Sequence, residues 1–118
     1  MGKISLKAKL VSDEEKINIE TSGIRNQNKI VYKEKDLTVT ILTFDNKIEM
    51  TRVCNDYKIN LNFDKKKKTI SNYQIFGGNK VFELETYTKK LNINNNKIEI
   101  EYVLEGNNFK YTLEMEDL

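Results

Sequence analysis

The chain has no proline, no histidine and a single cysteine, Cys54, in 118 residues. Without proline, its turns are left to Asn, Asp and Gly. Without histidine, histidine-based triads and histidine metal sites are excluded. One cysteine forbids an internal disulfide. Small secreted domains commonly carry such bridges, so a reducing cytoplasm is the expected location. Long apolar runs are also missing: none approaches the roughly 18 residues that a membrane span needs. The opening MGKISLKAKL lacks the unbroken apolar core of a signal peptide. Its Met-Gly start does not read as a myristoylation site, because Leu6 stands where that motif wants Ser or Thr. The formal net charge of +2 is too small to argue for a nucleic-acid surface by itself.

What is present is regular alternation. Charged residues make up 32% of the chain and hydrophobic ones 38%, but the hydrophobic ones are evenly spaced. Side chains alternate faces along a strand. Ile4, Leu6, Ala8 and Leu10 form one such row, as do Ile17, Ile19 and Thr21, and then Ile30, Tyr32 and Glu34. Further rows are Ile48, Met50 and Arg52; Tyr57, Ile59, Leu61 and Phe63; and Phe82, Leu84 and Thr86. The last two are Ile98, Ile100, Tyr102 and Leu104, and Phe109, Tyr111, Leu113 and Met115. The run LTVTILTF at 37–44 is apolar or β-branched on both faces, so its inward face stays ambiguous. Opposite faces carry mostly Lys, Glu, Asn and Thr, with Lys33, Glu49, Lys58, Glu99 and Glu101 expected outside.

Turn signals separate the rows: SDEE at 12–15, FDNK at 44–47, CND at 54–56, FGGN at 76–79, NNN at 94–96 and EGNN at 105–108. DNK, NNNK and GNN offer residues that tolerate positive φ. No segment sustains a 3.6 period. The pattern predicts roughly nine to eleven short strands in an all-β meander. Closing so many strands removes exposed edges. The expected fold is a single domain over 1–118, an antiparallel up-and-down β-barrel of roughly eight to ten strands.

The ordered motifs VYKE (31–34), IEMTR (48–52), YQIFGG (73–78), FELET (82–86) and IEIEY (98–102) resemble a family of small bacterial calycin-like, or lipocalin-like, β-barrel proteins of unknown function. The resemblance spans nearly the whole chain. It implies an acidic residue after the first tyrosine, here Glu34, and a strand-borne arginine, here Arg52. That family usually has glycine two residues beyond the arginine, where this chain has Cys54. The implied fold is a barrel like those of lipocalins and fatty-acid-binding proteins, with no established activity.

Arg52 and Glu34 each break an apolar inward row at its last position. With one strand between them, their strands run the same way and bring both charges toward one end of the barrel. Next-but-one strands lie roughly 9.6 Å apart, a gap the two side chains can largely close. One reading is a structural ion pair at the mouth. The other makes Arg52 the anchor for a ligand carboxylate or phosphate, with Glu34, Tyr32, Tyr73 and Tyr102 as the remaining candidate site residues. Such tyrosines are more often plain core, with the hydroxyl reaching the surface or a backbone group.

Enzymatic chemistry finds little footing, and no cofactor or metal is implied. Cys54 reads as an incidental thiol beside a turn. Glu83 and Glu85 read as a solvated strand face, and Asp13, Glu14 and Glu15 are too local for a calcium loop. The lysines at 65–68 read as a solvated loop. A single-strand nucleic-acid site using Phe63 and Tyr73 is the weaker alternative. Two functions follow: a binding module for a small apolar or anionic amphiphilic ligand inside the barrel, or a filled barrel acting on a protein partner through its outer surface.

Overall fold

In the computed structural model, which describes residues 2–78 and 80–118, each apolar row becomes the inner face of a strand. The strands are β1 (Gly2–Ser12), β2 (Lys16–Asn26), β3 (Lys29–Glu34), β4 (Leu37–Thr43), β5 (Lys47–Val53), β6 (Tyr57–Asp64), β7 (Lys68–Ile75), β8 (Lys80–Ile93), β9 (Lys97–Leu104) and β10 (Asn107–Asp117). Each pairs antiparallel with its neighbour in sequence, and β10 pairs with β1 to close a ten-stranded barrel. Among the described residues there is no helix, and so none long and apolar enough to cross a membrane. The last residue of the 76–79 turn signal, Asn79, lies outside the described residues.

The core is Ile4, Leu6, Ile30, Tyr32, Val39, Ile41, Ile48, Met50, Phe63, Ile98, Ile100 and Leu113 with their neighbours, all essentially buried. The ambiguous 37–44 run turns Leu37, Val39 and Ile41 inward and leaves Phe44 exposed. Each such side chain contributes roughly 1.5–3 kcal/mol when withdrawn from water.

Burial fades toward the end of the barrel that holds the β1–β2, β3–β4, β5–β6, β7–β8 and β9–β10 turns. There Leu10, Ile17, Ile19, Ile59, Leu104 and Phe109 are half-buried, and Phe82, expected inside, is 46% exposed. The cause is incomplete pairing. β2 pairs with β3 only over Gly23–Tyr32 to Asn26–Lys29, and β8 meets β9 only from Thr86 onward. On the outer face, Lys58, Glu99 and Glu101 are half-buried rather than open. Glu99 is partly covered by Lys97 and Lys90, at 3.3 and 3.4 Å.

The turns are less orthodox than their sequence. Positive φ falls at Gln27, Lys35, Lys66 and Glu105, besides Gly77 and Gly106. In EGNN both Glu105 and Gly106 are positive (47° and 82°), the primed geometry suited to a hairpin. DNK and NNNK close their turns without any positive φ. The turns at Gln27 and Lys35 carry no glycine signal; register on either side imposes them. Cys54, where the resemblance implies a glycine, has no positive φ, and its N–H donates to the Tyr57 carbonyl at 3.0 Å.

Gly23 sits where β2 leaves the β3 seam. A Cβ there would stand 2.6 Å from the Val31 carbonyl oxygen and 3.1 Å from Tyr32 Cβ. Backbone cannot swing aside as a flexible side chain can. Gly23→Ala is expected to lower stability by about 2 kcal/mol. Urea unfolding checks this, and an unchanged midpoint would mean that the seam relaxes freely.

Candidate functional site: an inward ion pair among tyrosines

Register places the charges. Arg52 lies level with Val39 on β4 and, through it, Tyr32 on β3. Glu34 is one inward position nearer the mouth than Tyr32 and pairs across to Leu37. Arg52 therefore reaches up and sideways over β4. Its Nη2 donates to both Glu34 carboxylate oxygens, at 3.1 and 3.0 Å. One nitrogen bridges the two oxygens, unlike the two-pronged arginine–carboxylate fork. The side chains retain 17% and 13% of their exposure, so the pair sits just inside the rim.

Below the pair, Tyr32 and Tyr111 are buried and share a hydroxyl–hydroxyl hydrogen bond of 2.7 Å. Tyr102 is also buried, its ring stacked on Phe109 (centroids 5.2 Å apart) and tilted against Phe63 (4.6 Å). Burial raises the Tyr32 hydroxyl above the ordinary tyrosine range, against the lowering pull of Tyr111 and Arg52. Burial likewise pushes Tyr102 up to about 12, opposed by Arg52. Tyr111 goes well above its usual value, again through burial first. Elsewhere in the barrel, Ser71 and Thr86 satisfy each other at 2.7 Å.

These shifts have a pH consequence. A raised folded-state value means that the unfolded chain loses protons first, near pH 10. The stabilisation is complete below that pH and declines as pH rises toward the folded value, about 12 for Tyr102. Denaturant midpoints are expected to hold level up to roughly pH 10 and then fall steeply. With no tryptophan and six tyrosines, absorbance at the tyrosinate band follows ionisation directly. Part of that rise should coincide with unfolding. Smooth titration of every tyrosine in the folded state would contradict this.

Arg52, Glu34, Tyr32 and Tyr102 are thus drawn into one region, while Tyr73 is not. Tyr73 belongs to a separate aromatic row at the rim, 5.7 Å from Tyr57 and 6.2 Å from Phe82 between ring centroids. Tyr111 was not among the sequence candidates. Its row marks it as inward, but its approach to Tyr32 depends on barrel closure, which no local motif encodes. The cavity bounded by Ala8, Leu10, Ile17, Ile19, Tyr32, Glu34, Arg52 and Tyr111 measures about 10 Å³.

The lysine block lies at the opposite end. Lys65, Lys66 and Lys67 line an open cleft of about 710 Å³ with Phe44, Asp45, Lys47 and Asp64. The aromatics expected beside it are elsewhere: Phe63 is buried in the core, and Tyr73 sits at the other rim. Asp64 lies 3.8 Å from Lys47 and 4.0 Å from Lys67, answering part of the charge.

Together these features define a closed, ten-stranded antiparallel barrel with an arginine–glutamate pair set over buried tyrosines. The chain belongs to the DUF1934 family, described as a domain of unknown function, whose pattern matches residues 3–116. Among solved structures it is similar to the ywiB protein from Bacillus subtilis, with a TM-score of 0.77 and 22% identity over 99% of this chain and 92% of that one. That likeness shows the fold. No curated protein matches the chain.

Proposed function

We propose that the protein is a non-enzymatic, cytoplasmic interaction module, a filled barrel of calycin-like topology that acts on a protein partner through its outer surface. The observation that carries this is the space left beside Arg52, about 10 Å³. That is room for about one water, whereas pockets for small organic ligands run to roughly 300 Å³ or more. Arg52 is also already engaged by Glu34. The larger clefts lie outside, including one of about 420 Å³ across β1, β2 and β10.

A second reading keeps the anionic amphiphile. It is favoured by the half-buried Leu10, Ile17 and Ile19 beside the ion pair, a greasy approach to a cation. Titration with a fluorescent polyene fatty acid separates the two. The filled barrel is expected to show no saturable one-to-one uptake. Saturable uptake that disappears in Arg52→Met would move the function to the second reading.

A further inference from the structure

The barrel has an open strand edge with an exposed apolar residue on each face, Val81 outside and Phe82 inside. Glu85 is the last residue of upper β8 to be answered from the β9 side. Its carbonyl accepts from the Glu105 N–H at 3.0 Å, and its own N–H donates to Glu105 Oε2 at 2.7 Å. Backbone groups alternate edges along a strand. Val81 and Glu83 therefore aim their N–H and C=O groups toward that same side, where, among the described residues, β8 has no ladder partner before Thr86. Val81 is 57% exposed on the outer face and Phe82 46% on the inner. Ile75 and Phe76 extend the apolar surface around the hairpin tip. Other incompletely paired stretches differ: residues 61–64 and 68–71, between β6 and β7, are bridged by the side chains of Asn62, Thr69 and Ser71, and residues 16–22 of β2 turn Lys16, Asn18, Glu20 and Ser22 outward, all polar and exposed. Open edges are normally blunted by charge, proline or a bulge. Upper β8 carries Glu83 and Glu85 on its outer face but keeps the exposed apolar pair Val81 and Phe82 beside them.

Building on the outer-surface reading, we propose that this edge pairs antiparallel with β8 of a second copy of the chain, in a two-fold register centred on Phe82. The pattern is self-complementary in that register. Val81 of each copy lies opposite Glu83 of the other, and both residues present their backbone groups to the junction. The two Phe82 rings meet in the close, non-hydrogen-bonded pair position. They continue the rim row of Tyr57, Tyr73 and Phe82 into its symmetric counterpart. The neighbouring register, centred on Glu83, fails twice. It opposes two carboxylates, and it requires the backbone of Glu85, which Glu105 already occupies.

The register gives opposite signs for two substitutions at one exposed site. Val81→Lys sets a lysine opposite each Glu83 and is expected to hold or tighten the dimer. Val81→Glu opposes like charges twice and is expected to weaken it about ten-fold. Glu83→Pro removes an edge N–H that β7 does not use and is expected to give a folded monomer. Sedimentation equilibrium from roughly 1 μM to 1 mM reads all three, with circular dichroism confirming the β fold of each. A wild-type monomer throughout, a dimer indifferent to the sign of the charge at position 81, or a dimer surviving Glu83→Pro would overturn the pairing. None of these touches the outer-surface reading, which falls instead on saturable amphiphile uptake.

Discussion

Phe63→Ala is expected to destabilise the barrel by about 4 kcal/mol. Phe63 is 1% exposed and meets the Tyr102 ring at 4.6 Å. In a filled interior, the deleted ring leaves a void that the wall closes only in part, since β5 holds β6 in register at Ile48–Phe63. The cost is then lost transfer energy plus lost contacts. Urea unfolding measures it. A small apolar solute such as benzene should recover part of the loss by entering the new cavity. Phe82→Ala is the internal comparison: 46% exposed, it is expected to cost under about 1 kcal/mol in the monomer. Similar losses at the two positions would mean that the interior is not packed as described.

Arg52→Met carries the second large effect. Glu34 is 13% exposed and would lose its cationic partner while remaining beside the apolar wall. Breaking a buried pair from one side costs roughly 3–5 kcal/mol. Because this pair keeps some contact with solvent at the rim, about 3 kcal/mol is expected. Adding Glu34→Leu removes the stranded carboxylate, and the double variant should regain most of the loss. A single variant within about 0.5 kcal/mol of the parent would show that the pair does not hold the rim.

Much of this architecture is legible in the sequence, for a definite physical reason. Period-2 rows such as Ile98, Ile100 and Tyr102 must face the core, because a one-residue slip would turn all of them into water. The inward orientation of Arg52 and Glu34 follows from the same rule. Their contact needs one further fact, that β3 and β5 are next-but-one strands, which counting the alternating rows supplies. What local pattern cannot supply is how far neighbouring strands stay paired. Phe82 belongs to an inward row yet is exposed, because β9 reaches β8 only from Thr86. Tyr111 meets Tyr32 only because β10 closes on β1. Whether the interior is filled is likewise a sum over all ten strands, which no single row of Phe, Tyr, Met and Leu reveals.

Native mass spectrometry of the protein purified from its own host tests the filled barrel most directly. The account predicts the polypeptide mass, alone, doubled or with a protein partner, and no small molecule retained in stoichiometric amount. A co-purifying ligand of a few hundred daltons, released on denaturation and absent from Arg52→Met, would contradict it.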